Sequence, residues 1–165
     1  MRTLMIKGEN APLMIGKILC LGKNFEAHAR EMGESSRKPP VVFLKPASAL
    51  LPPGGKVVLP AFSKNVHFEV ELVVVIGKSG KDVREDRVTD YILGYAVGLD
   101  LTARDIQSEA KKEGQPWTVS KGFDGAAPIS EIIPFRQVQG DLETSEICLW
   151  VNGIVRQRAL LSEMI

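Results

Sequence analysis

Glu69 and Glu71 occupy alternate positions of the segment HFEVELVVVIG (67–77). In a strand, residues i and i+2 share a face, so the two carboxylates stand ~6–7 Å apart, opposite Phe68, Val70 and Leu72. Two like charges entering so apolar a strand repel one another unless a cation stands between them. Taken alone, the pair reads as a solvated strand face. Asp100 adds a third carboxylate at the end of the other long apolar segment, YILGYAVGLDL (91–101). Three carboxylates at the ends of neighbouring strands read as a divalent-cation site. A set of oxygen ligands favours Mg2+, with Mn2+ or Ca2+ as alternatives, over Zn2+.

His28 and Glu31 form a second pair, at i and i+3 of FEAHAREMG (25–33), which reads as a short helix started by Asn24 and stopped by Gly33. A carboxylate beside an imidazole raises its basicity and fixes its tautomer, as a water-activating base requires. The same pair also fits an ordinary surface ion pair. His67, of the same parity as the glutamates, reads as a structural residue or as support for the site. Lys45 closes a strand before Pro46, Arg104 and Gln107 share a helix face after Asp100, and Lys121 follows Trp117. Each cation alone is an ordinary surface charge, but beside a metal site such groups suit an acidic substrate and a developing oxyanion.

The elements that must position these groups are mostly strands. LMIGKILCLG (13–22), VVFLKP (41–46), four apolar residues within GGKVVLP (54–60), the 67–77 segment and 91–101 all read as strands. Gly94 and Gly98 mark bends or close backbone approach. A helical turn is expected over 83–90, and a helix over ARDIQSEAKKEG (103–114), capped by Thr102. The remainder, from WTVSKGFDGAAP onward, reads as strand and loop, with Asn152-Gly153 turning a hairpin. The expected fold class is α+β and β-dominated, a single domain over 1–165.

Composition excludes several classes. Lys plus Arg number 21 against 20 Asp plus Glu, for a net charge of +1, so no basic excess supports binding to nucleic acid. No apolar run approaches the ~20 residues of a membrane helix, and the amino-terminal segment lacks a signal-peptide pattern, so a cytoplasmic protein is expected. Cys20 and Cys148 sit inside apolar runs without metal-like spacing and read as buried free thiols.

In order, GKNFEAHAREMG, P-x-x-F-x-K-P (Pro40 to Pro46), HFEVELVVVIG, YILGYAVGLDLTARDIQ and KKEGQPWTVSKGFDGAAP resemble the fumarylacetoacetate hydrolase family. The closest similarity is to its small single-domain branch of acylpyruvate hydrolases and oxaloacetate decarboxylases. The resemblance implies a mixed β-sandwich roll or pseudo-barrel with short helices, usually a homodimer. It implies Mg2+ or Mn2+ on Glu69, Glu71 and Asp100, and catalytic roles for Lys121 and for His28 and Glu31 on a lid helix. It also implies contacts from Lys45, Arg104 and Gln107 to a small keto-acid substrate. Family members continue past the position of Ile165 with further strands, so Ile165 is not expected to be a natural domain end.

The expected activity is metal-dependent hydrolysis of a C–C bond in an acylpyruvate, with oxaloacetate decarboxylation through the same enolate. The alternatives are isomerisation or tautomerisation of a 2-oxo-alkenedioate and, from another class, a non-catalytic metal-binding remnant.

Overall fold

A computed structural model describes residues 2–22, 24 and 41–164. The expected helix carrying His28 and Glu31 lies outside the described residues. The centre of the fold is an antiparallel ladder of β7 (Val70–Ile76) and β8 (Ile92–Leu99). Their β-branched residues suit a pleated surface, of which one face packs Val73, Val75 and Ala96 inward while Val74, Ile76 and Val97 on the other are exposed. A short strand, β11 (Ile133–Pro134), pairs along the other edge of β8 at Tyr95 and Gly94. Gly94 is required there, because a Cβ would lie 2.2 Å from the Ile133 carbonyl oxygen. Gly98 faces Glu71 across the ladder. A Cβ on it would lie 2.9 Å from a Val73 methyl, so the expectation of close approach at both glycines holds.

Around this ladder the chain places short pairs. Strand β1 (Thr3–Leu4) pairs with β2 (Leu13–Met14), and β3 (Lys17–Gly22) with β4 (Val41–Pro46). Strand β6 (Val66–His67) pairs with β9 (Thr102–Ala103), whereas β5 (Leu50–Leu51) runs parallel to β10 (Ala127–Pro128). The hairpin of β12 (Glu146–Val151) and β13 (Ile154–Leu160) turns at Asn152 and Gly153, both at positive φ (52° and 77°), the backbone a tight two-residue turn demands. One apolar cluster gathers Leu4, Leu50, Val75, Ala96, Leu101 and Ile132. A smaller one joins Val70 to Ile147 and Leu161, seating the β12–β13 hairpin against the start of β7.

The helix over Arg104–Lys112, α1, has Asp105 in its first turn and Lys111 and Lys112 in its last, as its dipole prefers. Its cap differs from expectation. Thr102 is fully buried and committed to pairing with His67, so the residue before the helix is Ala103, which makes no side-chain cap bond. The Arg104 amide instead donates to the Asn65 carbonyl at 2.8 Å. The Asp105 carboxylate accepts from Ser63 Oγ at 2.6 Å and from the Lys64 amide at 2.9 Å. These bonds tie the 63–65 loop to the helix start.

Three further expectations are corrected. Residues 57–60 form no strand, and Val58 and Leu59 are exposed rather than packed on a sheet face. WTVSK contains one helical turn, α2 (Thr118–Lys121), rather than strand or loop. Burial decides it: the turn packs Ser120 and Lys121 inward, and Ser120 Oγ returns a bond to the Trp117 carbonyl at 2.9 Å. The cysteines are free, as expected, but only half-buried. Cys20 lies on the inner side of a two-stranded ladder, where burial and the Asp100 charge push its thiol up to about 11.

Candidate active site

Two backbone facts bring the acidic residues together. The β7–β8 register extends beyond both strands, so that the Asp100 amide donates to the Glu69 carbonyl at 2.8 Å. On the opposite edge, the Gln157 side chain of β13 accepts from the Val70 amide at 2.8 Å and donates to the Phe68 carbonyl at 3.3 Å. The side-chain amide thus stands in for a neighbouring strand and holds Glu69 from the second side. Gln157 was not singled out from sequence, because a glutamine 87 residues away in a polar strand carries no local signal.

Lys121, at the end of α2, is 3% exposed and points its ammonium at both carboxylates. It donates to Glu69 Oε2 at 3.2 Å and to Asp100 Oδ2. Its Nζ also lies 4.8 Å from the centre of the Phe43 ring, a favourable cation–π contact. Arg104 donates to Glu69 Oε1, to Gln107 Oε1 at 2.6 Å and to His67 Nδ1 at 3.4 Å. Arg104 and Gln107 therefore share a helix face and meet, as their spacing requires. His67 supports Arg104 from β6. Lys45 is buried to 1% exposure, with its ammonium 3.1 Å from the Leu101 carbonyl, 2.5 Å from the Lys121 carbonyl and 2.8 Å from Asp100 Oδ1. This last contact is an ion pair outside hydrogen-bond geometry, which leaves Asp100 Oδ1 without a hydrogen bond among the described residues.

The electrostatics divide the three acids. Burial would raise Glu69, but Lys121 and Arg104 together hold it below the ordinary glutamate value. Glu71 has no such ion pair among the described residues. Burial, then the charges of Asp100 and Glu69, push it up to about 7 despite the pull of Lys121. Burial lowers Lys45 from its ordinary value more than Asp100 restores it.

Among the described residues, no three Asp, Glu, His or Cys side chains are gathered as a ready-made metal cluster. Glu69 and Asp100 instead converge on Lys121, and Glu71 stands close enough to feel both charges. The donor set nevertheless suits a hard cation. It is all oxygen, it leaves one buried carboxylate oxygen short of a hydrogen bond, and it contains a glutamate that burial and two neighbouring acids drive towards neutrality. His28 and Glu31 lie outside the described residues.

A β-dominated chain with short helices, E-x-E at a strand start, Asp at the end of its partner strand and a buried lysine between them defines a class. The chain belongs to the fumarylacetoacetate (FAA) hydrolase C-terminal family, which matches residues 17–165. It is 55% identical over 150 residues to an uncharacterised protein of Pyrococcus abyssi, covering 90% of this chain and 66% of that one. It is 48% identical over 149 residues to the Arabidopsis thaliana protein named oxaloacetate tautomerase FAHD1, mitochondrial, again covering 90% and 66%. The crystal structure of fumarylpyruvate hydrolase from Pseudomonas aeruginosa in complex with Mn2+ and pyruvate superposes with a TM-score of 0.90 at 39% identity, covering 98% of this chain and 71% of that one. The chain thus spans just under two thirds of the length of the curated relatives it matches. No helix among the described residues is long and apolar enough to cross a membrane.

Proposed function

We propose that this chain carries the centre of a divalent-metal-dependent enzyme that cleaves a C–C bond of a small acylpyruvate by hydrolysis, and that the same centre decarboxylates oxaloacetate. The observation that carries the reading is the buried Lys121 ammonium, aimed at Glu69 and Asp100, with Glu71, which has no ion pair among the described residues, beside them. Glu69, Glu71 and Asp100 would hold Mg2+ or Mn2+, which supplies Lewis-acid polarisation of a 2-oxo carboxylate. The similarity to a hydrolase crystallised with Mn2+ and pyruvate supports both the ion and the substrate class.

The residues of the chain supply the rest. Arg104 commits three of its N–H groups to Glu69, Gln107 and His67, which fixes the guanidinium plane, while the other two have no partner among the described residues and can meet a substrate carboxylate. Lys121 places a desolvated positive charge where an enolate oxygen would develop, and a fixed charge in a buried site stabilises it without reorganisation. His28, oriented by Glu31, would take a proton from the attacking water.

A second reading is tautomerisation of a 2-oxo diacid. It needs a proton carried to and from carbon and no attacking water, and Lys121 between two carboxylates suits that transfer. The likeness to the protein named oxaloacetate tautomerase supports it. Product analysis with acetylpyruvate and oxaloacetate, with and without Mn2+, separates the readings. Acetate and pyruvate from acetylpyruvate support hydrolysis, enol–keto exchange of oxaloacetate alone supports tautomerisation, and no turnover of either rejects both.

A further inference from the structure

We propose that Lys45 is a positioning residue, which locks Asp100 and Lys121 into place and makes no contact with substrate. The proposal rests on the 2-oxo-acid reading for the identity of that substrate. An ammonium has three protons. Around Lys45 Nζ stand three protein oxygens: the Leu101 carbonyl at 3.1 Å, the Lys121 carbonyl at 2.5 Å and Asp100 Oδ1 at 2.8 Å. Two of its protons go to the carbonyls, the third side faces the Asp100 charge, and at 1% exposure the side chain has no opening towards a ligand among the described residues.

Its three partners come from separate parts of the chain. Asp100 and Leu101 lie between β8 and β9, whereas Lys121 ends α2. The Lys121 carbonyl ends a helical turn, where no helical partner remains for it. Lys45 is the group that satisfies it. Phe43 and Lys45, two residues apart on β4, share a face. That face meets Lys121 at both ends: the Phe43 ring lies under its ammonium at 4.8 Å, and the Lys45 ammonium holds its carbonyl. Strand β4 therefore sets where the Lys121 side chain begins and where it points, and Lys45 also sets which Asp100 oxygen is left for Lys121.

A lysine that grips a substrate carboxylate is well replaced by arginine, whose planar fork suits that partner. A lysine enclosed by three oxygens on different sides is not, because the fork cannot be seated in a pocket built for a compact ammonium.

The test compares Lys45→Met, Lys45→Gln and Lys45→Arg with the unsubstituted protein. Amide hydrogen exchange needs neither metal nor substrate. Loss of the clamp is expected to speed exchange at the Leu101 and Gly122 amides, which donate to Ala126 and Thr118, by about tenfold or more, with the β12–β13 hairpin unchanged. Steady-state kinetics on acetylpyruvate with Mn2+ should then show kcat down about tenfold or more, KM within about threefold, and arginine no better than methionine.

Unchanged exchange at both amides overturns the proposal, as does a KM raised about tenfold at constant kcat that arginine restores. If Lys45→Met does not fold, Lys45→Gln, which keeps one donor group, decides by the same two measurements. Absence of turnover in the unsubstituted protein rejects the 2-oxo-acid reading alone, and the exchange comparison still decides the role of Lys45.

Discussion

Lys121 and Glu69 are 52 residues apart in the chain, yet the lysine ammonium lies 3.2 Å from the glutamate carboxylate. The contact exists because a one-turn helix ends where two antiparallel strands begin to part, and Asp100 meets the same ammonium from the partner strand. Replacing Lys121 with Met removes the charge shared by Glu69 and Asp100, and leaves Asp100 with Lys45 alone. We expect kcat on acetylpyruvate or oxaloacetate to fall about 10²–10³-fold, and urea denaturation to show a stability loss of about 3–5 kcal/mol, as for other broken buried ion pairs.

Gln157 holds the backbone on either side of Glu69 with one amide group. Gln157→Leu strands the Val70 amide, at a cost of about 1–3 kcal/mol in chemical denaturation, and weakens Mn2+ binding because Glu69 is no longer fixed. Gln157→Glu keeps the acceptor and loses the donor, so its effect falls between leucine and the native residue. Equal Mn2+ affinity in all three proteins would show that Glu69 needs no support from β13.

Gly94 admits no side chain, since a Cβ would be forced against the Ile133 carbonyl at 2.2 Å. Gly94→Ala is expected to cost about 3 kcal/mol or more, because backbone rather than a flexible side chain must yield. Gly98→Ala meets a movable Val73 methyl at 2.9 Å and should cost less. Thermal unfolding of the two variants side by side gives the ranking.

Asp105 ties the loop before β6 to the first turn of α1. Its bonds from Ser63 Oγ and the Lys64 amide hold its carboxyl below the ordinary aspartate value. A carboxyl with a lowered folded value stabilises above the unfolded value, and the contribution is lost as pH falls through the folded one. The Lys64 amide resonance is therefore expected to shift as pH drops below about 3.8, and to sit at its acid position at every pH in Asp105→Asn. A resonance insensitive to both changes would show that the loop is held by other means.

Much of this was legible in the sequence for a simple reason: alternation and β-branching define strands locally. The β7–β8 ladder, the close approach at Gly94 and Gly98 and the Asn152-Gly153 turn all follow from residues within the elements themselves. Elements decided by tertiary burial were not legible. The helical turn of Thr118–Lys121 forms from β-branched residues because it buries Ser120 and Lys121, and Thr102 serves a strand pair instead of a cap. The parity of Glu69 and Glu71 and the strand-end position of Asp100 pointed to one acidic centre. That Lys121 would stand between two of its members, and that Lys45 would be enclosed by protein oxygens, depends on contacts 52 and 76 residues apart. No local pattern encodes such distances.

Glu69, Glu71 and Asp100 are proposed to form one divalent-cation site next to Lys121. Titration of Mn2+ into the purified protein, followed by electron paramagnetic resonance of the free ion, tests it most directly. One saturable ion per chain is expected, displaced by Mg2+, with affinity reduced at least about tenfold in Asp100→Asn and in Glu71→Gln. The absence of saturable binding, or binding undiminished in both variants, would contradict it.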